Sequence, residues 1–164
     1  MLITFLIGTL LLSVTSALYR NPSTGHPLAK EGLEDYKMDW IGHPLDHFDS
    51  SDSRTFKARY WINDRYFDNS NGLVFVMICG EGECVPTGVN SSTPLRYAAK
   101  MGAKIAYLEH RYYGKSQPFS GTDGWSYENL QYLTSQQALA DLNNFIGFVN
   151  KTLGDNSQFV VVGG

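Results

Sequence analysis

From Arg54 onward apolar residues fall on every second position, Phe56, Ala58, Tyr60 and Ile62 alternating with Lys57, Arg59 and Trp61. A period of two predicts a strand with one face on a core. Asn63-Asp64 then signals a turn, Tyr66-Phe67 is read as the start of a return strand, and Asn69-Ser70-Asn71-Gly72 is a second turn. Leu73 to Cys79, LVFVMIC, is apolar without interruption, as expected of a strand covered on both faces. A short helix is predicted from Pro94 to Met101, with Thr93 as N-cap and Gly102 just past its end, and Ala103 to Leu108 is the next strand. Ala138, Leu142, Phe145, Ile146, Val149 and Leu153 then recur every three or four residues, which predicts an amphipathic helix. Thr134 and Gln137 open it with capping-box spacing, and Gly154 closes it. Gln158 to Val162, QFVVV, reads as another buried strand leading into Gly163-Gly164.

Strand, helix, strand, helix, strand implies an α/β fold built on a mostly parallel sheet with right-handed crossovers. A parallel strand as apolar as QFVVV expects a covering helix after it, and the chain stops first, so residues 54–164 are read as an incomplete domain. Residues 18–53 are read as an irregular leader that wraps this domain, with Trp40, Ile41, Leu45 and Phe48 as anchors. Residues 1–17, MLITFLIGTLLLSVTSA, carry no charged side chain and end on small residues, the pattern of a secretory signal peptide. The apolar run is short for a membrane-spanning helix, so no stable membrane insertion is expected once the signal is cleaved.

Composition adds constraints. The 164 residues are 43% apolar and 18% charged, a globular mixture, with a net charge of -3 and no Lys/Arg cluster to neutralise a phosphate backbone. Nucleic-acid binding is therefore not expected. Asn90-Ser91-Ser92 and Asn150-Lys151-Thr152 are N-glycosylation triplets, consistent with export. The two cysteines, Cys79 and Cys84, have the wrong spacing for a zinc or redox motif. In an oxidising compartment they either close a local loop, worth roughly 2 kcal/mol, or pair with cysteines beyond this chain. No metal or cofactor motif appears.

Gly80-Glu81-Gly82 begins like a dinucleotide fingerprint, but the third glycine falls on Val85; Gly114-Lys115-Ser116 imitates the end of a P-loop, but its leading glycine falls on Glu109. The plain alternative at both places is a turn in which glycine supplies positive φ. In α/β-hydrolases the loop after the third strand donates an amide to the oxyanion hole, and the nucleophile sits on a sharp turn after the fifth. Gly80, Glu81 and Gly82 are candidates for that loop and its substrate pocket, and Gly163-Gly164 stands where the elbow begins. His26, His43, His47 and His110 all precede any elbow serine, so structural or surface roles are expected for them. Ser116 reads as a turn or cap residue. Glu81 and Glu109 border strand ends, where either substrate contact or a paired carboxylate fits.

Several strings carry a family resemblance: HPLDHF from His43 to Phe48, TFKARYW from Thr55 to Trp61, EHRYYGKSQPF from Glu109 to Phe119, and ENLQYLTSQQALAD from Glu128 to Asp141. Together they resemble the N-terminal half of the prolyl carboxypeptidase family, which includes dipeptidyl peptidase II and the thymus-specific serine protease. The resemblance runs from about Trp40 to Gly164. It implies the N-terminal part of an α/β-hydrolase fold and a secreted or lysosomal serine exopeptidase that acts on peptides next to proline or small residues. The family's nucleophile lies in Gly-Gly-Ser-Tyr-x-Gly, so the serine is expected immediately after Gly164. The partner Asp and His come later still, and no catalytic residue is assigned within this chain. The flanking cysteines at positions 79 and 84 depart from the family pattern. A non-catalytic secreted binding or inhibitory module and an esterase or lipase on the same sheet remain alternatives, and the oligomeric state is open.

Overall fold

Thr55–Asn63 forms a strand, as its alternation requires, but it is the second in the chain. The first, β1, is Lys37–Pro44, which lies within the segment expected to be irregular and pairs antiparallel with β2 (Thr55–Asn63) from Lys37↔Ile62 to Pro44↔Thr55. Backbone pairing alone makes this strand: only Ile41 and His43 of its eight residues are buried, so no apolar period advertises it. Of the four expected anchors, Ile41 and Leu45 are buried, whereas Trp40 and Phe48 are exposed. The computed structural model describes residues 35–86, 92–153 and 157–163; the signal segment, Asn90 and Gly164 lie outside them.

The remaining elements are β3 (Leu73–Ile78), α1 (Ser92–Met101), β4 (Lys104–Leu108), a 3-10 turn at Gly121–Trp125, α2 (Tyr127–Leu130), α3 (Ser135–Leu153) and β5 (Gln158–Val162). They build a five-stranded sheet in the order β1-β2-β4-β3-β5. Only the β4-β3-β5 portion is parallel, since β2 meets both β1 and β4 antiparallel, so the sheet is mixed. Tyr66-Phe67 does not start a strand; Phe67 N–H closes a turn on the Asp64 carbonyl at 3.1 Å.

Two apolar layers flank the sheet. On one face, Phe56, Ala58, Tyr60, Val74, Val76, Ala106 and Leu108 pack against Leu142, Phe145 and Val149, the predicted stripe of α3. On the other, Trp61, Phe75, Ile105 and Tyr107 pack with Ala98 of α1 and Cys84. This second layer explains why Arg59 and Trp61 of β2 are buried, although the alternating pattern had put them on an open face.

Helix ends follow their chemistry. α1 starts at Ser92, so Thr93 lies inside it rather than capping it. It stops where Gly102 turns to φ +63 and Ala103 N–H reaches back to the Ala98 carbonyl, a Schellman closure that needs glycine. At the start of α3, Thr134 Oγ1 accepts from Gln137 N–H at 3.2 Å, the expected cap. The Gln137 side chain does not return that bond. It bridges His47 N–H and Asp46 instead, at 2.9 and 2.6 Å, and staples the helix to the segment after β1.

β5 departs most from expectation. QFVVV is not buried: Val160, Val161 and Val162 are 40–43% exposed, because among the described residues β5 is an edge strand paired only with β3. Only Phe159 packs against the α3-side core.

Candidate functional site

Because β3, β4 and β5 run parallel, their C-terminal ends lie on one edge of the sheet, where ligands gather in open α/β folds. Three chain segments meet there. β3 leads into Cys79-Gly80-Glu81-Gly82, β4 leads into Glu109–Tyr113, and β5 leads into Gly163, which sits against Ile78 at the end of β3. A cavity of about 200 Å³ opens between these strand ends and α3. Ile78, Leu108, Ala138, Leu139 and Leu142 supply its apolar lining, and Glu109, His110 and Arg111 line it from the loop after β4.

Cys79 and Cys84 are bonded to each other, with Cα atoms 5.5 Å apart. The loop they close exposes Gly80, Glu81 and Gly82. Gly82 N–H closes a tight turn on the Gly80 carbonyl at 2.9 Å, but neither glycine has positive φ and a Cβ on either would meet nothing within 4 Å, so this turn does not depend on glycine's conformational freedom. The turn at Gly114 does, with φ at +53.

Beside the loop, Glu109 is buried and forms an ion pair with Arg59, at 2.9 Å to Nε and 2.5 Å to Nη2. Ser116 Oγ donates to the same carboxylate at 2.6 Å and accepts from Arg59 N–H at 2.8 Å. Burial alone would raise the Glu109 pKa, but the hydrogen bonds from Arg59, Ser116 and the Cys84 amide outweigh it and hold the carboxyl below its ordinary value. Glu109 is thus a paired carboxylate, whereas Glu81 is exposed. Ser116 does more than cap a turn, since it joins β2 to the loop after β4.

A second network ties α3 to the segment after β1. Arg111 donates to both oxygens of Asp141, at 2.7 and 2.8 Å, and to the carbonyls of Leu45 and Tyr132 at 3.1 and 2.9 Å. Its guanidinium also lies over the Phe56 ring. His47 Nε2 shares Asp141 Oδ1 at 2.7 Å, and His43 Nδ1 is 3.5 Å from the same oxygen. His43, His47 and Asp141 therefore offer three donors within 4.8 Å of one another. Arg111 already occupies both Asp141 oxygens, and a cation placed there would face the guanidinium, so the chemistry is that of an electrostatic clamp rather than a metal centre. Sequence reading passed over Arg59, Arg111 and Asp141. The available signal was position: Arg59 interrupts an apolar strand, and Gln137 and Asp141 flank the buried stripe of α3 at a spacing of four.

Structural roles were expected for the histidines. His110 bonds the Arg111 carbonyl through Nδ1 at 2.7 Å and rests on Tyr113. His43 is fully buried, accepts from Asn144 Nδ2 at 2.9 Å, and leaves Nε2 without a hydrogen-bond partner. Burial lowers its pKa from 6.5 to about 4; Asp141 opposes the shift, and His47 and Arg111 add to it. The folded ring stays neutral while an unfolded one takes a proton below about 6.5, so stability is complete above that pH and declines as pH falls toward 4. The full decline amounts to about 3 kcal/mol. Urea midpoints of wild type and His43→Gln between pH 7 and 4 check this: the variant is expected to have the shallower dependence, and parallel curves would refute it.

Residues 43–164 match the family described as serine carboxypeptidase S28. Thymus-specific serine protease of Mus musculus is 43% identical over 106 residues, covering 65% of this chain and 20% of that protein. Lysosomal Pro-X carboxypeptidase of Bos taurus is 36% identical over 128 residues, 77% of this chain and 26% of its own length. Its Homo sapiens counterpart is 30% identical over 146 residues, 88% and 29%. A cold-adapted esterase from an Arctic intertidal metagenomic library aligns at TM-score 0.47 and 14% identity, over 81% of this chain and 52% of that one.

The mixed sheet, its third strand entering the Gly80 loop and its fifth entering Gly163, is consistent with the N-terminal part of an α/β-hydrolase fold. The chain belongs to the serine carboxypeptidase S28 family, a family of serine peptidases, and spans about a fifth to a quarter of the first two relatives it matches.

Proposed function

We propose that the protein to which this chain contributes is a serine exopeptidase acting on peptides beside proline, either a carboxypeptidase or a dipeptidyl peptidase. In this reading the nucleophilic serine directly follows Gly164. It attacks the peptide carbonyl, a later His moves its proton, and the loop at Gly80, Glu81 and Gly82 offers backbone amides to the oxyanion. One observation carries the reading: Met77 pairs with Val162 in the parallel β3-β5 register, so the Gly80 loop and Gly163 leave the sheet side by side. That adjacency is what an oxyanion donor and a nucleophile elbow need. The names of the relatives support peptide substrates, and their partial coverage supports a nucleophile outside these residues.

Residues 1–17 act in this reading as a signal peptide that delivers the protein to the exterior or the lysosome. Asn90 and Asn150 are its glycosylation sites; Asn150 lies in the last turns of α3, half-buried, with Thr152 exposed. Among the described residues no helix is long and apolar enough to cross a membrane.

The purified chain is expected to release no product from X-Pro or Pro-X peptides. Turnover that a serine-reactive phosphonate blocks would overturn the placement of the nucleophile, as would a transcript that does not continue past the Gly164 codon into Ser-Tyr-x-Gly.

A further inference from the structure

The disulfide closes the Cys79–Cys84 segment onto itself, and Cys79 continues directly from β3, where its N–H donates to the Leu108 carbonyl at 3.1 Å. Backbone pairing holds the ring at that end. At its far end Cys84 packs in the second apolar layer, where hydrogen bonds fix its position. Cys84 N–H donates to Glu109 Oε1 at 3.1 Å, and Glu83 accepts from Arg59 Nη2 at 3.0 Å. Glu109 is in turn fixed by the two Arg59 nitrogens, by Ser116 Oγ and by Lys115 N–H at 3.2 Å. The carboxylate has no rotational freedom left, and hydrogen bonds to an ionised group are among the stronger ones in proteins.

We propose that Glu109, oriented by Arg59 and Ser116, is the positioning residue of the Gly80–Gly82 loop, holding it against β4 whether or not Cys79 and Cys84 are bonded. The catalytic meaning of that loop rests on the function proposed above. The clamp itself does not, because it is built from groups on β2, on the loop after β4 and on the loop after β3 alone.

Amide hydrogen exchange and nitrogen-15 NMR on the full chain read it directly. In Glu109→Gln, protection of the Cys84 amide is expected to fall about tenfold or more, with shifts at Gly80 and Gly82. In the Cys79→Ser, Cys84→Ser double variant, protection is expected to stay within about threefold of wild type. The reverse ranking would overturn the proposal. If Glu109→Gln does not fold, acid titration of the wild type serves instead. The Cys84 amide and Arg59 Nε–H resonances should move together, at a pH below the ordinary glutamate value of 4.5. Independent movement would overturn it equally. Both measurements report loop position without catalysis, so the clamp and the peptidase reading stand or fall separately.

Discussion

Asp141→Ala is expected to lower stability by about 3–5 kcal/mol, because it leaves a guanidinium buried without its carboxylate. The side chain of Arg111 is 0% exposed and that of Asp141 6%, so water cannot replace the lost partner without opening the packing between α3 and the end of β1. The carbonyls of Leu45 and Tyr132 stay bonded to Arg111 but carry no compensating charge. His47 also loses its acceptor at Nε2. Arg111→Met should cost a comparable amount, since it strands the buried Asp141 carboxylate in turn, with His47 left beside it. Paired with Asp141→Leu, it should recover part of the loss, in keeping with the high desolvation cost of such pairs. Denaturant unfolding of the three variants measures this. A loss below about 1 kcal/mol for Asp141→Ala would mean that the pair is no more than a surface bridge.

Gly114→Ala is the second large effect, expected at about 3–5 kcal/mol, with two causes that add. The backbone there is at φ +53, which costs a residue with a Cβ about 1–2 kcal/mol. The new Cβ would also stand 2.0 Å from Glu109 Oε1 and 2.9 Å from Arg59 Nη2. Those atoms cannot yield as a flexible side-chain tip would, because each belongs to the buried pair and is held by further hydrogen bonds. Making room separates the pair, a penalty of the same order as losing one partner. Gly121→Ala is the matched control: φ is +65, but nothing lies within 4 Å, so only the backbone cost should appear. Equal midpoints for the two variants would show that the collision is relieved at little cost.

The elements with a strong apolar period, β2, β3, β4 and α3, were legible within a residue or two, because burial on a regular face leaves its mark on consecutive side chains. β1 was not, since a strand mostly exposed and joined by backbone alone leaves no such mark. Its recovery matters to the site. β1 takes the place of the strand expected at Tyr66-Phe67, so Leu73–Ile78 stays the third strand and Gln158–Val162 the fifth, the positions that the hydrolase reading needs. β5 shows the opposite failure: composition reported what QFVVV is suited to, while exposure depends on what lies against it. The two charged networks escaped for a related reason. Arg59 meets Glu109 and Arg111 meets Asp141 across 50 and 30 residues, and no local spacing encodes such pairings.

β5 also bears on how the molecule behaves in company. It has no charge, no proline and no bulge, and it offers three valines along an open rim of the sheet. Natural edge strands usually carry some device that discourages a neighbour from adding its own strand, and among the described residues this one carries none. For the isolated chain, strand addition at this rim is therefore the expected first step of self-association.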